Sequence, residues 1–524
     1  MRCSDVRNII DKYYADDQAV AEKDQIIHFY EDFLKEYDPV LRKKMGAYYT
    51  PLPVVRFIVR AVDQILQKDF NLARGLADTS KLPNGLHRVQ VLDPAVGTGT
   101  FIGEVINSIY SRFIKQQGAW PAYVHHDLLP RIYGFELMMA SYTIAHLKLS
   151  LAFKKTGFKY FNETKKGKSR LGIYLTNSLE QMSEQEALPS LGFGHSIAEE
   201  AREASVVKNT TPIMVVIGNP PYSVSSSNKG KWIQDQIKVY KKGLGERKIN
   251  LDDDYIKFIR FAEHFIEKNK TGAVAMITNN SFIDGITHRQ MRKHLLETFD
   301  EIYILDLHGN ARKKEKAPGG GKDENVFDIQ QGVSINIFVR KDEDKEGLGT
   351  VYHSEIFGKR ESKFNTLNRS NIGEIKWQKL DYSEPYYFFT PKDFSEDVEY
   401  GKGFKVSDLF ATYSAGIKTK VDNIAIDFDK KTLSKRVEDI IQNKYTLQQI
   451  INKFDLSPKT TWEYNKVLEI PDFKEENIVF YDYRPFDTRF TYYDKNFLSR
   501  SRSEVMDNFF NNNNIGLETS RNGH

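Results

Sequence analysis

A short stretch around residue 219 combines a buried strand with residues that could bind a planar amine. Residues 211–223 read TPIMVVIGNPPYS, and the short β-branched run closed by breakers predicts a buried strand ending in a fixed turn. Four residues follow the strand: Asn219, Pro220, Pro221 and Tyr222. Each proline fixes its own φ and holds the preceding residue in extended geometry. Rigid acceptor oxygens beside an aromatic ring suit the amino group of a nucleobase, although an Asn-Pro pair alone is often only a turn.

A glycine-rich turn forms a second candidate site. Residues 89–101 read VQVLDPAVGTGTF, which is a strand, then Asp93, then Gly97 and Gly99 leading into a helix. Glycine lets a ligand approach the backbone, and the amides at a helix start suit a carboxylate or another polar head, although a tight structural turn is the alternative. The next predicted strand ends at Glu136, where an acidic residue would accept hydrogen bonds from ribose hydroxyls. The long gap before Glu136 predicts an insertion at residues 111–130.

Both candidate sites follow strands of one predicted sheet. Strands are predicted at residues 89–93, 131–136, 172–175, 213–217, 272–278, 301–307 and 333–340. Helices are predicted at residues 51–66, 99–114, 138–153, 255–269 and 288–299. This alternation indicates an α/β fold with a doubly wound, largely parallel sheet. Ligands of such sheets bind at the carboxyl ends of the strands, which is where both motifs lie.

The chain divides into three predicted parts, and its composition excludes several classes of protein. We expect an N-terminal helical segment at 1–45, the α/β domain at 46–375 and a Tyr- and Phe-rich α+β region at 376–524. The balance of 75 Lys+Arg against 71 Asp+Glu is too even to indicate a nucleic-acid binder by itself. Cys3 is the single cysteine, which excludes a disulfide framework, a zinc ribbon and a central cysteine nucleophile. No apolar run approaches the roughly 18 residues of a membrane span.

Five motifs in a fixed order resemble those of one enzyme family. They are GAYYTP at 46–51, DPAVGTGTF at 93–101, YGFE at 133–136, TNSLE at 176–180 and NPPY at 219–222. Together they resemble the motifs of S-adenosylmethionine-dependent DNA adenine-N6 methyltransferases of the γ arrangement. FYEDFLKEYDP at 29–39 and YRPFDTRFTYYD at 483–494 are similar to single-chain restriction-modification enzymes, those called type I-like, type ISP or type IIG. The resemblance implies a Rossmann-like methyltransferase domain at 46–375, a target-recognition domain at 376–524, and a cytoplasmic bacterial protein.

The resemblance also implies roles for individual residues. The catalytic set would be Asn219, Pro220, Pro221 and Tyr222, with the Asn219 amide oxygen and the Pro220 carbonyl accepting the two amino hydrogens of a flipped adenine. Tyr49 and Thr50 would approach the methionine end of the cofactor. The residues expected along its methionine and sugar are Asp93, Ala95, Gly97, Gly99 and Glu136. Asn177 would contact the cofactor adenine, where the family often has Asp. Tyr222 and Phe327 would stack on the target base, with an anchor of a loop to the core as the alternative for Phe327. No metal is expected.

The partner implied is double-stranded DNA. Three basic stretches, at 154–170, 228–248 and 311–322, favour phosphate contacts when taken together, although each alone is commonly a solvated surface. We expect no cleavage of DNA by this chain, because it shows no nuclease or helicase motif; such parts would be encoded elsewhere or missing. The final NNNNIGLETSRNGH leads to the expectation of a fragment with a truncated recognition domain and poor sequence discrimination. The alternatives left open are methylation of cytosine N4 or another planar amine, such as a protein glutamine, and a catalytically silent DNA-binding specificity module.

Overall fold

The computed structural model describes most of the chain in two compact units. The described residues are 49–158, 170–181, 193–223, 226–245, 251–341, 344–457, 462–484, 486–510 and 512–517. The predicted helical segment at 1–45 lies outside these ranges. The contacts divide the chain into Met1–Lys392 and Asp393–His524. Within the described part of the chain, no helix is both long enough and apolar enough to cross a membrane.

A nine-stranded sheet forms the centre of the first unit. In chain order its strands are β1 Val91–Asp93, β2 Ile132–Glu136, β3 Gly172–Leu175, β4 Val215–Gly218, β5 Gly272–Asn279, β6 Glu301–Asp306, β7 Val333–Arg340, β8 Thr350–Glu355 and β9 Gln378–Lys379. The order across the sheet is β3-β2-β1-β4-β5-β7-β6-β8-β9. The first five strands in this order, β3-β2-β1-β4-β5, pair in parallel. Strand β7 lies antiparallel between β5 and β6, and β8 is parallel to β6. The predicted doubly wound α/β fold is confirmed.

The helices cover both faces of this sheet. The longer ones are α1 Leu52–Asp69, α2 Thr100–Tyr110, α3 Met139–Lys155, α4 Phe193–Thr210, α5 Lys231–Lys241, α6 Asp254–Asn269, α7 Arg289–Thr298 and α8 Arg360–Arg369. Short helical turns lie at Gly75–Ala77, Ser281–Asp284 and Ile286–His288, and a run of them occupies residues 111–131, where an insertion was predicted. Successive residues of β4 enter opposite cores, because Val215 packs in one cluster and Val216 in the other. Burial on both faces explains why the strands read as continuous apolar runs.

The second unit has a small sheet and a core of its own. Its strands are β10 Ile426–Asp427, β11 Ile478–Arg484 and β12 Asp487–Tyr492, which form an antiparallel sheet in the order β10-β12-β11. Its helices are α9 Lys430–Ile441 and α10 Leu447–Lys453, with short ones at Asp397–Tyr400, Val406–Leu409, Asp422–Ala425, Tyr464–Val467, Glu475–Asn477 and Ser503–Met506. The side chains of Asp429 and Thr446 cap the starts of α9 and α10. The core is formed by α9 against β12 and includes Val437 and Tyr492.

The change of composition near residue 375 predicted a domain boundary there. In the structure the first unit extends to Lys392. Strand β9 pairs with β8, which keeps residues 378–379 in the large sheet. Tyr387 and Phe389 are also buried in a core of the first unit. The aromatic residues just after 375 were assigned to the C-terminal region, but they complete the sheet domain.

Candidate active site

Asp93 and Gly218 lie at the ends of two adjacent parallel strands. Asp93 is fully buried, and its Oδ1 accepts a hydrogen bond of 3.0 Å from the backbone N–H of Ala95. Among the described residues, its Oδ2 has no hydrogen-bond partner. Burial raises the pKa of Asp93 to about 8, with the nearby Glu136 carboxylate adding to the effect and the Ala95 amide opposing it. A Cβ on Gly218 would stand 2.7 Å from Asp93 Oδ1, so the glycine lets β4 end against this carboxyl group.

The glycine-rich turn is fastened to Glu136. Gly97 and Gly99 have φ values of 55° and 81°, in the left-handed region that favours glycine. The Gly97 N–H donates to Glu136 Oε2 over 2.9 Å, and the Met138 N–H donates to Oε1 over 2.7 Å. Burial raises the pKa of Glu136, while these amides oppose that rise. Each carboxylate oxygen can accept a second hydrogen bond, so Glu136 can also take a hydroxyl of a ligand on the turn.

Asn219 joins two motifs that are far apart in the sequence. Its Nδ2 donates to Thr50 Oγ1 over 2.9 Å, and its Oδ1 accepts from the Tyr222 hydroxyl over 2.8 Å. The same hydroxyl lies 3.2 Å from the carbonyl oxygen of Ile277 on β5. Thr50 is buried, whereas Asn219 and Tyr222 are half-buried. The structure therefore brings the predicted cofactor residue Thr50 into direct contact with the predicted catalytic amide.

Asn177 follows β3 at the same edge of the sheet. Its Nδ2 donates to Asn228 Oδ1 over 3.0 Å, and its Oδ1 accepts from the Leu179 N–H over 3.0 Å. Its carbonyl oxygen accepts from Lys208 Nζ over 2.6 Å. Burial lowers the pKa of Lys208 to about 8, against the opposing charge of Glu180. Asn177 thus links the turn after β3 to the segment that follows the NPPY motif.

Three residues at the start of α6 hold that segment and were missed in the sequence. Asp253 Oδ1 accepts from the Ser223 N–H over 2.8 Å. Lys257 Nζ donates to Ser226 Oγ over 2.8 Å and to the Asn228 carbonyl oxygen over 2.7 Å. Asp254 Oδ1 accepts from both Ser226 Oγ and Asn228 Nδ2. The run of acids at 252–254, directly before a predicted helix and after the catalytic motif, was a signal that could have identified Asp253 and Asp254.

Phe327 is buried in the core of the sheet domain. Its ring is 4% exposed and packs with residues of β6 and β7. The backbone around it is fixed, because Asn325 Oδ1 accepts its N–H over 2.8 Å and Arg360 donates to its carbonyl oxygen over 2.8 Å. Stacking on a base would require the ring to leave this core. The burial supports the alternative interpretation, in which Phe327 anchors the loop.

The tyrosine ring of the NPPY motif lies nearer the surface. Tyr222 is half-buried, and its ring makes an edge contact with Tyr255, with 6.3 Å between centroids.

Of the basic stretches, residues 311–322 are described throughout, and their lysines and arginine are exposed. This loop follows β6, whose end at Asp306 shares the carboxyl edge of the sheet with Asp93 and Gly218. Residues 159–169 and 246–248 of the other two stretches lie outside the described residues.

The buried Glu263 and the half-buried Glu267 and His294 have the donor atoms of a metal site, but their contacts indicate a structural role. Glu263 Oε2 accepts from the Tyr240 hydroxyl over 2.6 Å and from Arg260 over 2.9 Å. His294 Nδ1 lies 2.9 Å from Glu263 Oε1, and Arg260 also donates to Glu267 over 2.8 Å. Because the guanidinium already supplies the positive charge between the carboxylates, the cluster ties α5, α6 and α7 together.

Comparison with known proteins finds similarity to restriction-modification methylases. Residues 131–312 match the family model of the Eco57I restriction-modification methylase, and residues 408–524 match the Type ISP C-terminal specificity domain. The predicted resemblance to type ISP restriction-modification enzymes is confirmed. Neither match reaches half of the chain alone; the first lies within the first structural unit and the second within the other.

Individual relatives extend the likeness over nearly the whole chain. The Type II methyltransferase M.BstVI of Geobacillus stearothermophilus is 22% identical over 229 residues, which are 43% of this chain and 34% of that protein. The DrdV–DNA complex is 25% identical with a TM-score of 0.64, over 95% of this chain and 49% of that one. The ATP-dependent Type ISP restriction-modification enzyme LlaBIII bound to DNA is 25% identical with a TM-score of 0.65, over 92% and 33%. The chain therefore spans between a third and a half of the length of these relatives.

Proposed function

We propose that this chain transfers a methyl group from S-adenosylmethionine to the N6 amino group of adenine in DNA, as the modification part of a restriction-modification system. The observation that carries the proposal is the contact of Asn219 with Thr50 and Tyr222 at the strand edge that also holds Asp93 and Glu136. An amide that presents an acceptor oxygen thus lies beside a turn suited to a nucleoside with a polar tail. Similarity to DNA-bound restriction-modification enzymes supports DNA as the partner.

The residues around the glycine-rich turn fit S-adenosylmethionine. The buried Oδ2 of Asp93 suits a cationic or hydrogen-bond-donating group, and Gly97 leaves its side of the turn open. Glu136 is fixed by two backbone amides and can accept from ribose hydroxyls. Leu137, which sequence reasoning missed, is 52% exposed directly after Glu136 and offers an apolar surface to an adenine ring. When bound, S-adenosylmethionine supplies an electrophilic methyl group on a sulfonium.

The chain's own catalytic contribution is the alignment of a weak nucleophile. The lone pair of the adenine amino group is delocalised into the ring, so the nitrogen needs both hydrogens held to become more tetrahedral. An amide oxygen accepts two hydrogen bonds, so Asn219 Oδ1 can bind one amino hydrogen while it holds the Tyr222 hydroxyl. The Pro220 carbonyl would accept the other. Such alignment of reacting groups contributes several kcal/mol to catalysis, on the order of the effects seen for oriented intramolecular reactions.

DNA must present the adenine outside its helix to reach this edge of the sheet. Enzymes that modify a base extrude it and bind it by stacking and by hydrogen bonds to its edge. We propose that Tyr222, whose hydroxyl contacts Asn219 and whose ring is half-buried, stacks on that base, whereas Phe327 is in the core. The exposed lysines and arginine of residues 311–322 would contact phosphates at the same edge.

Base analysis after methyl transfer tests the proposal. The purified chain is incubated with tritiated S-adenosylmethionine and plasmid DNA in the presence of a metal chelator, and the DNA is digested to nucleosides. We expect the label in N6-methyl-2′-deoxyadenosine. Label in N4-methyl-2′-deoxycytidine would support the planar-amine alternative. Tight cofactor binding without any transfer to DNA would contradict the proposal, and absence of both would point to a silent specificity module.

A further inference from the structure

We infer that Lys208 is a positioning residue that orders the base end of the cofactor site and makes the site prefer adenine to a purine without the amino group. The inference rests on the proposed function, because it takes a nucleoside cofactor as the ligand. Lys208 lies near the end of α4, a helix that carries none of the five motifs, and it is 6% exposed. Its contacts are with the turn at residues 176–180, and it needs no contact with the cofactor.

The strand order puts the turn after β3 beside the nucleoside part of the site. Asp93 and Gly97 follow β1, Glu136 ends β2, and β3 is the next strand outward. A nucleoside whose ribose hydroxyls bind Glu136, with its polar tail at β1, would extend its base towards the turn after β3. That turn holds Asn177, the residue expected at the cofactor adenine.

The turn is tied to both neighbouring strand ends. The Thr176 N–H donates to the Glu136 carbonyl oxygen over 2.8 Å. The Ser178 hydroxyl donates to the carbonyl oxygen of Pro94, which can only accept. Two points of the turn are thus fixed against the ends of β2 and β1.

Asn177 can accept a hydrogen bond from an adenine amino group. The orientation of its side-chain amide follows from the Leu179 N–H, which can only donate and therefore faces Oδ1, over 3.0 Å. An amide oxygen accepts two hydrogen bonds, so this oxygen can take a second one from a ligand. Adenine offers that donor, whereas a purine without the amino group does not.

Lys208 holds the turn from the side of α4. An ammonium group has three hydrogens and can only donate. It donates to the carbonyl oxygens of Asn177 and Glu180 over 2.6 Å and 2.9 Å, and to Thr176 Oγ1 over 3.2 Å. The ammonium also lies over the ring of Phe135 on β2, 5.3 Å from its centroid. All three hydrogens are therefore used, and all three acceptors belong to the turn.

Removal of the ammonium would release the turn. Three acceptors would lose their donor at once, and the backbone would move to find other partners or water. The Asn177 amide would then no longer be held where an adenine amino group can reach its oxygen.

Two ligands that differ only at the base test the inference. Calorimetry on the full chain without DNA gives the dissociation constants of S-adenosylhomocysteine and of its analogue with hydrogen in place of the adenine amino group. The preference is the ratio of the second constant to the first. In the wild type we expect about tenfold or more, because the analogue leaves an acceptor without its hydrogen bond.

Lys208→Met removes all three donors and should reduce the preference to about threefold or less. Lys208→Gln keeps two N–H hydrogens on a neutral side chain; it is the second variant, should methionine at this site not fold, and its preference should be at least about threefold below that of the wild type. Lys363→Met is the matched control, because Lys363 is also buried and also donates to three acceptors. The control should keep the wild-type preference.

A lysine that served only the stability of the fold would change the affinity for both ligands by one factor and leave their ratio unchanged. Wild-type preference in folded Lys208→Met, or in Lys208→Gln where methionine does not fold, would therefore overturn the inference. A wild type that binds the two ligands equally would overturn it as well. A wild type that prefers S-adenosylhomocysteine but transfers no methyl group to DNA would contradict the proposed function and leave the role of Lys208 supported by the ratio in the variants, whereas a wild type that binds neither ligand would overturn both.

Discussion

Replacing Lys257 by methionine should loosen the segment after the NPPY motif. The side chain is completely buried, and its ammonium group donates to Ser226 Oγ and to the Asn228 carbonyl oxygen. Hydrogen bonds from a charged group contribute about 1.5 to 3 kcal/mol each. Burial lowers the pKa of Lys257, which shows that removing the charge from water offsets part of the stabilisation by these hydrogen bonds. We therefore expect Lys257→Met to lower the free energy of unfolding by about 2 to 4 kcal/mol.

Urea unfolding measures this loss, and hydrogen exchange locates it. The amides of Ser223, Ser226 and Asn228 should exchange faster in the variant, because two acceptors of the segment lose their donor. The control is Lys238→Met on α5, whose lysine is 73% exposed and should change stability by less than about 0.5 kcal/mol. Equal stability and equal exchange of Lys257→Met and wild type would refute the reasoning that this lysine holds the segment.

Two further predictions concern protonation. Because the pKa of Asp93 is raised to about 8, its carboxyl group is mostly protonated at pH 7. A cationic ligand that needs the carboxylate should displace this proton. The affinity for S-adenosylmethionine should therefore increase as the pH rises towards 8. Calorimetry at pH 7 should give enthalpies that differ between phosphate and Tris, whereas identical enthalpies would show that Asp93 keeps its proton. Burial would raise the pKa of Glu263, but the hydrogen bond from His294 and the charge of Arg260 outweigh it, so this pKa falls well below its ordinary value. Burial and Arg260 would lower the pKa of His294, but the hydrogen bond to Glu263 and the charge of that carboxylate outweigh them, so this pKa rises. The stabilisation by Glu263 should be fully present above pH 4.5 and should be lost as the pH falls through the folded-state pKa of Glu263. The stabilisation by His294 should be fully present below pH 6.5 and should be lost as the pH rises through the folded-state pKa of His294. Glu263→Gln should therefore destabilise the protein more at pH 7 than at pH 3, and His294→Phe should destabilise it more at pH 6 than at pH 9. Thermal unfolding measures both effects. Equal shifts of the unfolding temperature at all these pH values would contradict the stabilising roles of the two charged groups.

Much of the sheet domain could be predicted because its strands are buried on both faces. A strand such as β4 is a continuous apolar run between breakers, which is recognisable without knowledge of its neighbours. Helices α4, α5 and α8 were not predicted, since their windows are rich in charged and polar residues. Strands β8 and β9 were missed as well, because β8 is only partly buried and β9 is a two-residue exposed strand at the edge of the sheet, so neither forms a continuous apolar run.

The site was predictable where the topology alone brings residues together. Asp93, Glu136 and Asn219 follow parallel strands, and parallel strands end at one edge of the sheet. Contacts between these residues and side chains from distant parts of the sequence could not be predicted in the same way. Neither the bond of Thr50 to Asn219 nor that of Lys257 to the Asn228 carbonyl has a periodic signal in sequence. Phe327 shows the converse case, because an aromatic residue in a loop motif does not reveal whether its ring points outward or into the core.

The central claim is that Asn219 aligns an adenine amino group and contributes little to cofactor binding. Asn219→Ala tests it most directly, with calorimetry for S-adenosylmethionine and single-turnover transfer to DNA at saturating cofactor. We predict a dissociation constant within about threefold of the wild type and a rate constant of N6-methyladenine formation lower by about a hundredfold or more. Transfer to adenine at an undiminished rate, or a loss of cofactor binding equal to the loss of rate, would contradict the claim.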